Sequence, residues 1–174
     1  NSHGEMRLEQ RRSCFSNFVF VYSHSNLSRS NQLECGVFGL YQKLKCSSNV
    51  IETYSRESGQ NLLNYNHFEN FLSEFKPDII INCAAHVGSV HYGLKFPATI
   101  FNDNMQMIIN IFLAVSKVSS HSKMINLISN CVYPMNADVQ IENQLWEGMP
   151  HPTALPYASV RRMILVISES YSNQ

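Results

Sequence analysis

Three consecutive isoleucines, Ile79-Ile80-Ile81, stand between the turn-forming Lys76-Pro77-Asp78 and the polar Asn82. An apolar run this short, β-branched throughout and without alternation, is the pattern of a buried parallel strand, which needs helices to cover it. The small residues Cys83, Ala84 and Ala85 follow, then His86, Val87 and Gly88. Small side chains at the carboxyl end of such a strand let a flat ligand lie close to the backbone, where open α/β sheets bind their cofactors. Ala84 and Ala85 are therefore candidate cofactor contacts.

The rest of the chain agrees with that strand. Phe18 to Tyr22 reads as a first strand, the stretch beginning at Val50-Ile51 as a second, and Met124 to Ile128 as a fourth. A short helix is predicted over 66–76, with Asn66 as its cap, Phe68, Phe71, Leu72 and Phe75 on one face, and Pro77 as its stop. A long helix over about 99–118 carries apolar residues on more than one narrow stripe, which suits burial on two sides, against the sheet and a partner subunit. A last helix runs from about Tyr157 to Tyr171. Between them, 132–156 is irregular and holds Pro134, Pro150, Pro152 and Pro156. Strand alternating with helix argues an α/β fold, a Rossmann-like parallel sheet with helices on both faces.

Residues 1–16 are polar and read as a disordered or tag-like arm, so the expected domain is 17–174. Ser23 to Glu34 reads as a polar loop. The 174 residues carry no formal net charge, which gives no electrostatic footprint for nucleic acid. No run of apolar residues is long enough for a membrane span, and the five scattered cysteines lack metal-site spacing; a cytoplasmic protein with reduced thiols is the expectation. His86 and His91 could mimic a metal pair, but no third ligand accompanies them, and no metal is expected.

Tyr157 and Arg161 lie four apart and share a helix face. A cation near a phenol favours the phenolate, and a phenol so tuned can pass a proton to or from a carbonyl or alcohol oxygen. Ser129, at the end of a neighbouring strand, could hydrogen-bond that oxygen. A Tyr-x-x-x-Arg pair is also common as an ordinary surface or interface contact.

Several spaced motifs carry a resemblance over residues 50–174: NLLN at 61–64, KPDIIINCAAHVG at 76–88, VHYG at 90–93, NDNMQMIINI at 102–111, SNCVYP at 129–134, EGMPHPTALPYA at 147–158 and SESY at 168–171. In these the chain resembles the extended short-chain dehydrogenase/reductase family, in particular its epimerase-reductases of GDP-linked 4-keto-6-deoxy sugars. The resemblance implies NADP(H) as cofactor, a nucleotide-sugar substrate, and a homodimer through the helices 99–118 and 157–171. It implies Ser129 and Tyr157 for hydride chemistry and Cys131 for epimerisation. It also implies Asn61 and Leu62 near the adenine, His86 and Val87 toward the nicotinamide, and Asn104 as a structural asparagine.

The chain departs from that pattern at three places. The family's lysine is Arg161 here, which keeps the charge but will not give up its proton, and Arg162 does not fit the spacing. Of the glycine turn that cradles pyrophosphate, only Gly36 and Gly39 stand in register, with Leu33 at the first position. The resemblance also places the epimerisation histidine and most of the sugar pocket beyond residue 174, making this an incomplete form of the family's fold without its carboxyl-terminal substrate domain. Arg56, after the second strand, falls where relatives that prefer the phosphorylated cofactor meet its 2′-phosphate. Two readings follow: an incomplete NADP(H)-dependent epimerase-reductase, or a catalytically inactive Rossmann-like module serving dimerisation or partner binding.

Overall fold

A computed structural model describes residues 17–22, 42–44 and 50–174. Four strands form one sheet: β1 (Asn17–Tyr22), β2 (Val50–Ser55), β3 (Ile79–Asn82) and β4 (Lys123–Asn126). Their order is β2-β1-β3-β4, and every pairing is parallel. The isoleucine run is thus an interior strand, as its composition demands, with Ile80 and Ile81 buried. Parallel neighbours cannot be joined by tight hairpins, so the chain must cross the sheet by way of helices.

Register explains where those helices lie. Val19 pairs with Ile80, and Ile80 with Met124, so these three side chains point to one face. Against that face pack α1 (Tyr65–Phe75), α3 (Pro97–Val118) and α4 (Leu155–Ser172), side by side with α3 in the middle. One buried cluster joins Val19, Tyr54 and Ile80 of the sheet to Phe68 and Leu72 of α1 and to Met107, Ile111 and Ala114 of α3. A second joins Ile108 and Phe112 of α3 to Val160 and Ile164 of α4. The wide apolar surface of α3 is therefore met on one side by α1 and the sheet and on the other by α4. Residues 42–44 are helical; the arm 1–16, the loop 23–34 and the glycines of the phosphate turn lie outside the described residues.

Several boundaries differ from the pattern-based expectation. The cap of α1 is Asn64 rather than Asn66: its Oδ1 accepts the His67 N–H at 3.2 Å, and the helix starts at Tyr65. The helix closes on Lys76, which takes a left-handed conformation (φ 49°) and donates its N–H to the Leu72 carbonyl. Pro77 disfavours helical backbone at the residue before it, which explains an uncommon non-glycine at that cap. Between β3 and the long helix lies a short helix that the pattern did not predict, α2 (Val90–Lys95), capped by the Ser89 hydroxyl. None of its residues is buried, so no apolar stripe marked it. The long helix begins at Pro97, a residue suited to a first turn, and the last begins two residues before Tyr157. β4 runs from Lys123 to Asn126, starting one residue before the expected Met124 and ending two short of Ile128.

Ile111 is fully buried where the sheet, α1 and α3 meet. Ile111→Ala should lower the unfolding free energy by about 3 kcal/mol, read from the urea midpoint at unchanged slope.

Candidate active site

The chain leaves β1 for β2 on one side, while β3 lies on the other. Open α/β sheets bind ligands near such a reversal, outside the carboxyl ends of the strands. Here the residues that leave β3 wall a cleft, and three buried polar side chains hold them there.

Asn82 closes β3 fully buried; its Nδ2 donates to Asn126 Oδ1 at the end of β4 (2.9 Å), and its Oδ1 accepts the Ala84 N–H (3.1 Å). Asn104, buried in α3, accepts the His86 N–H on Oδ1 (2.8 Å) and donates to the His86 carbonyl (2.8 Å) and to the Ile100 carbonyl (2.7 Å). One side-chain amide thus substitutes for a neighbouring strand at His86. The third is Arg161, whose Nη2 donates to the Ala84 carbonyl.

The His86 imidazole is held as well. Asp103, one residue before Asn104, accepts from its Nδ1 at 2.8 Å, which fixes the tautomer, and the Tyr92 hydroxyl stands 3.4 Å from Nε2. Tyr92 packs over Gly88 so closely that a Cβ there would fall 2.4 Å from the ring. Only glycine fits.

Across from this loop, Tyr157 occupies the first turn of α4. A cleft of about 160 Å³ lies between His86, Val87 and Gly88 on one side and Thr153, Ala154 and Tyr157 on the other. Arg161 sits one turn further along, its guanidinium 5.0 Å from the centre of the Tyr157 ring and only 3% exposed. It does not line the cleft, and its Nε is buried without a hydrogen-bond partner among the described residues. Burial pushes the nearby Cys83 thiol up to about 11, against the opposing pull of Arg161.

Ser129 lies beyond β4 and precedes a 3-10 turn, Asn130–Val132, that packs against α4. Ser129 and Cys131 are half-buried and are not among the residues lining the cleft. Arg56 is exposed at the carboxyl end of β2. Asn61 is exposed, with its Oδ1 accepting the Leu63 N–H (3.0 Å) and its carbonyl accepting the Tyr54 hydroxyl (3.4 Å). Leu62 is buried in the core cluster, and its carbonyl accepts Asn110 Nδ2 at 2.7 Å. Gly36 and Gly39 lie outside the described residues. Among the described residues, no three His, Cys, Asp or Glu side chains are grouped to hold a metal, and no helix is long and apolar enough to cross a membrane.

The pattern of the NAD dependent epimerase/dehydratase family matches residues 33–174. The chain belongs to that family. It is 28% identical over 135 residues to the GDP-L-fucose synthase of Dictyostelium discoideum, a match covering 77% of this chain and 42% of the relative. To a probable GDP-L-fucose synthase 1 of Oryza sativa subsp. japonica it is 30% identical over 157 residues, 90% of this chain and 45% of that one. In fold it is similar to a GDP-L-fucose synthetase from Naegleria fowleri bound to NADP, with a TM-score of 0.71 at 22% identity, covering 90% of this chain and 44% of that one. The chain spans less than half the length of these relatives.

In this member of the epimerase/dehydratase family the structure brings Tyr157, His86 and Val87 to one cleft and joins Ala84 to Arg161. Sequence reasoning missed the partnership of Asp103 with His86, the support that Asn110 gives Leu62, and Arg162. Burial set Asn110 and Arg162 apart: Asn110 interrupts an apolar helix face, and the Arg161-Arg162 pair sits between the apolar Val160 and Met163; the half-buried Asp103 carried no such mark. That polar-in-apolar placement was the available signal.

Asn104→Ala leaves the His86 N–H and carbonyl without their partner and should cost about 3 kcal/mol in urea unfolding, with faster hydrogen exchange at the His86 amide. Cys83 should alkylate with a rate that rises as pH approaches about 11, whereas the ordinary thiol value is 9.0. Because the folded state favours the protonated thiol, the associated stability is full below about pH 9 and is lost as pH climbs through about 11; site-mapped alkylation against pH checks the sign.

Proposed function

We propose that the chain is the cofactor-binding part of an NADP(H)-dependent epimerase-reductase acting on a GDP-linked 4-keto-6-deoxy sugar, as in a GDP-L-fucose synthase. One arrangement carries the reading: a tyrosine on the first turn of a helix faces, across a cleft beyond the carboxyl end of β3, a loop backbone pinned by a buried asparagine. The names of the similar GDP-L-fucose synthases and the NADP in the Naegleria fowleri structure's description support the choice of substrate and cofactor.

The residues present fit a nicotinamide dinucleotide. His86, Val87 and Tyr157 would hold its nicotinamide end, with Ala84 and Ala85 giving close approach to backbone. Asn61 and Leu62 would lie toward the adenine, Arg56 toward a 2′-phosphate, and Gly36 and Gly39 toward the pyrophosphate. Bound NADPH supplies the hydride. Tyr157 then gives its phenolic proton to the oxygen of the reduced carbonyl; the hydrogen bond of Ser129 to that oxygen is assigned by the family resemblance alone, since Ser129 stands outside the cleft lining. Arg161 sets its guanidinium against the face of the Tyr157 ring and takes no part as a proton relay. Cys131 serves as one half of the epimerisation acid–base pair.

The second reading, an inactive module for dimerisation through α3 and α4 or for partner binding, has two observations in its favour. The Arg161 guanidinium is committed to the Ala84 carbonyl and does not line the cleft, and neither Ser129 nor Cys131 lines it.

Titration with NADPH, followed by nicotinamide fluorescence and energy transfer from Trp146, separates the two. Saturation in the micromolar range supports the reductase reading, with Arg56→Ala weakening NADPH by about tenfold and leaving NADH unchanged. A folded sample that binds neither nucleotide at millimolar concentration leaves the module reading.

A further inference from the structure

Arg162 is buried on α4, and no carboxylate pairs with it among the described residues. Burial lowers its pKa from the ordinary arginine value. A buried guanidinium is costly unless its donors are used. Here Nε donates to the Val132 carbonyl at 2.7 Å and Nη2 to the Gly148 carbonyl at 2.8 Å.

Those carbonyls stand at the two ends of the segment 132–148. The segment is closed at the same place by other contacts: the Met135 N–H donates to the Met149 carbonyl (2.9 Å), and a Cβ on Gly148 would come within 3.0 Å of the Pro134 side chain. The Trp146 ring, half of it exposed, covers the guanidinium at 5.4 Å. Residues 134–148 therefore form an Ω-loop, and one side chain of α4 fastens both its last residue, Gly148, and Val132, in the turn that leads into it.

The turn that leads into the loop carries Cys131 and follows Ser129. Its own hydrogen bonds, Val132 N–H to the Ser129 carbonyl and Tyr133 N–H to the Asn130 carbonyl, are both 3.3 Å, long for their kind. The two bonds from Arg162 are short and charge-assisted, and stronger. The helix, more than the turn's own bonds, decides where the turn sits.

We infer that Arg162 is a positioning residue: its two-carbonyl clamp sets the Ser129–Cys131 turn at a fixed place on the helix that presents Tyr157. The inference rests on the proposed reaction for why that spacing matters. The clamp itself can be judged without cofactor or substrate. Lysine offers one point of attachment where arginine offers a fork, so it cannot serve both carbonyls in the same way.

The test uses the purified chain with Arg162→Met, Arg162→Lys and Gly148→Ala. The last variant opens the neck of the loop while leaving the guanidinium in place. Alkylation rates are mapped separately at Cys131 and Cys83, acrylamide quenching is followed at Trp146 (the only tryptophan), and circular dichroism confirms folding. In Arg162→Met, Cys131 should react faster by on the order of tenfold, the worth of one charge-assisted hydrogen bond, and Trp146 should become more quenchable. Arg162→Lys should fall between it and the parent, Gly148→Ala should also speed Cys131, and Cys83 should stay within about twofold throughout.

An unchanged Cys131 rate in folded Arg162→Met overturns the inference. So does acceleration of Cys83 and Cys131 together, which is general loosening. If Arg162→Met does not fold, the other two variants decide by the same criteria. Failure of the parent chain to bind NADPH overturns the reductase reading and leaves the clamp standing.

Discussion

A strand that ends inside a protein leaves backbone donors and acceptors that water cannot reach, and each must find a partner. At the end of β3 that demand falls on Ala84 and His86, and it is met wholly by side chains: Asn82 for the Ala84 N–H, Arg161 for the Ala84 carbonyl, and Asn104 for both groups of His86. The cleft depends on this solution. Had another strand continued the ladder, the loop would be covered; had no partner been present, it would not keep one shape. Side-chain amides satisfy the backbone from behind and leave its front open to a ligand.

The helix α4 gathers the other half of the site. On its first two turns Tyr157 faces the cleft, Arg161 reaches the loop after β3, and Arg162 reaches the segment after β4. Consecutive helical residues point about 100° apart, so two neighbouring arginines can serve two different loops. The helix is held in turn by Val160 and Ile164, which pack on Ile108 and Phe112 of α3. Position passes from the sheet to α3, from α3 to α4, and from α4 to the groups that would meet a substrate.

Much of this was legible in the residues. Ile79-Ile80-Ile81 declared an interior parallel strand, and the small residues after it declared an approachable carboxyl end. The tyrosine, the loop histidine and the helix asparagine were found by motif and do come together. What stayed hidden depends on partners far away in the chain. That Asn82 would bond Asn126, or Arg162 the Val132 carbonyl, follows from tertiary packing and leaves no local period to read. α2 was hidden for a different reason: it is six residues long, has no buried residue, and is set by a serine cap more than by an apolar stripe.

The two buried guanidiniums give this end of the sheet one more property. What faces them is a set of carbonyl dipoles from Ala84, Val132 and Gly148. A lysine can be neutralised by proton loss or acetylation; an arginine held in this way cannot be switched by either route. The positive potential under Tyr157 is thus a constant of the fold.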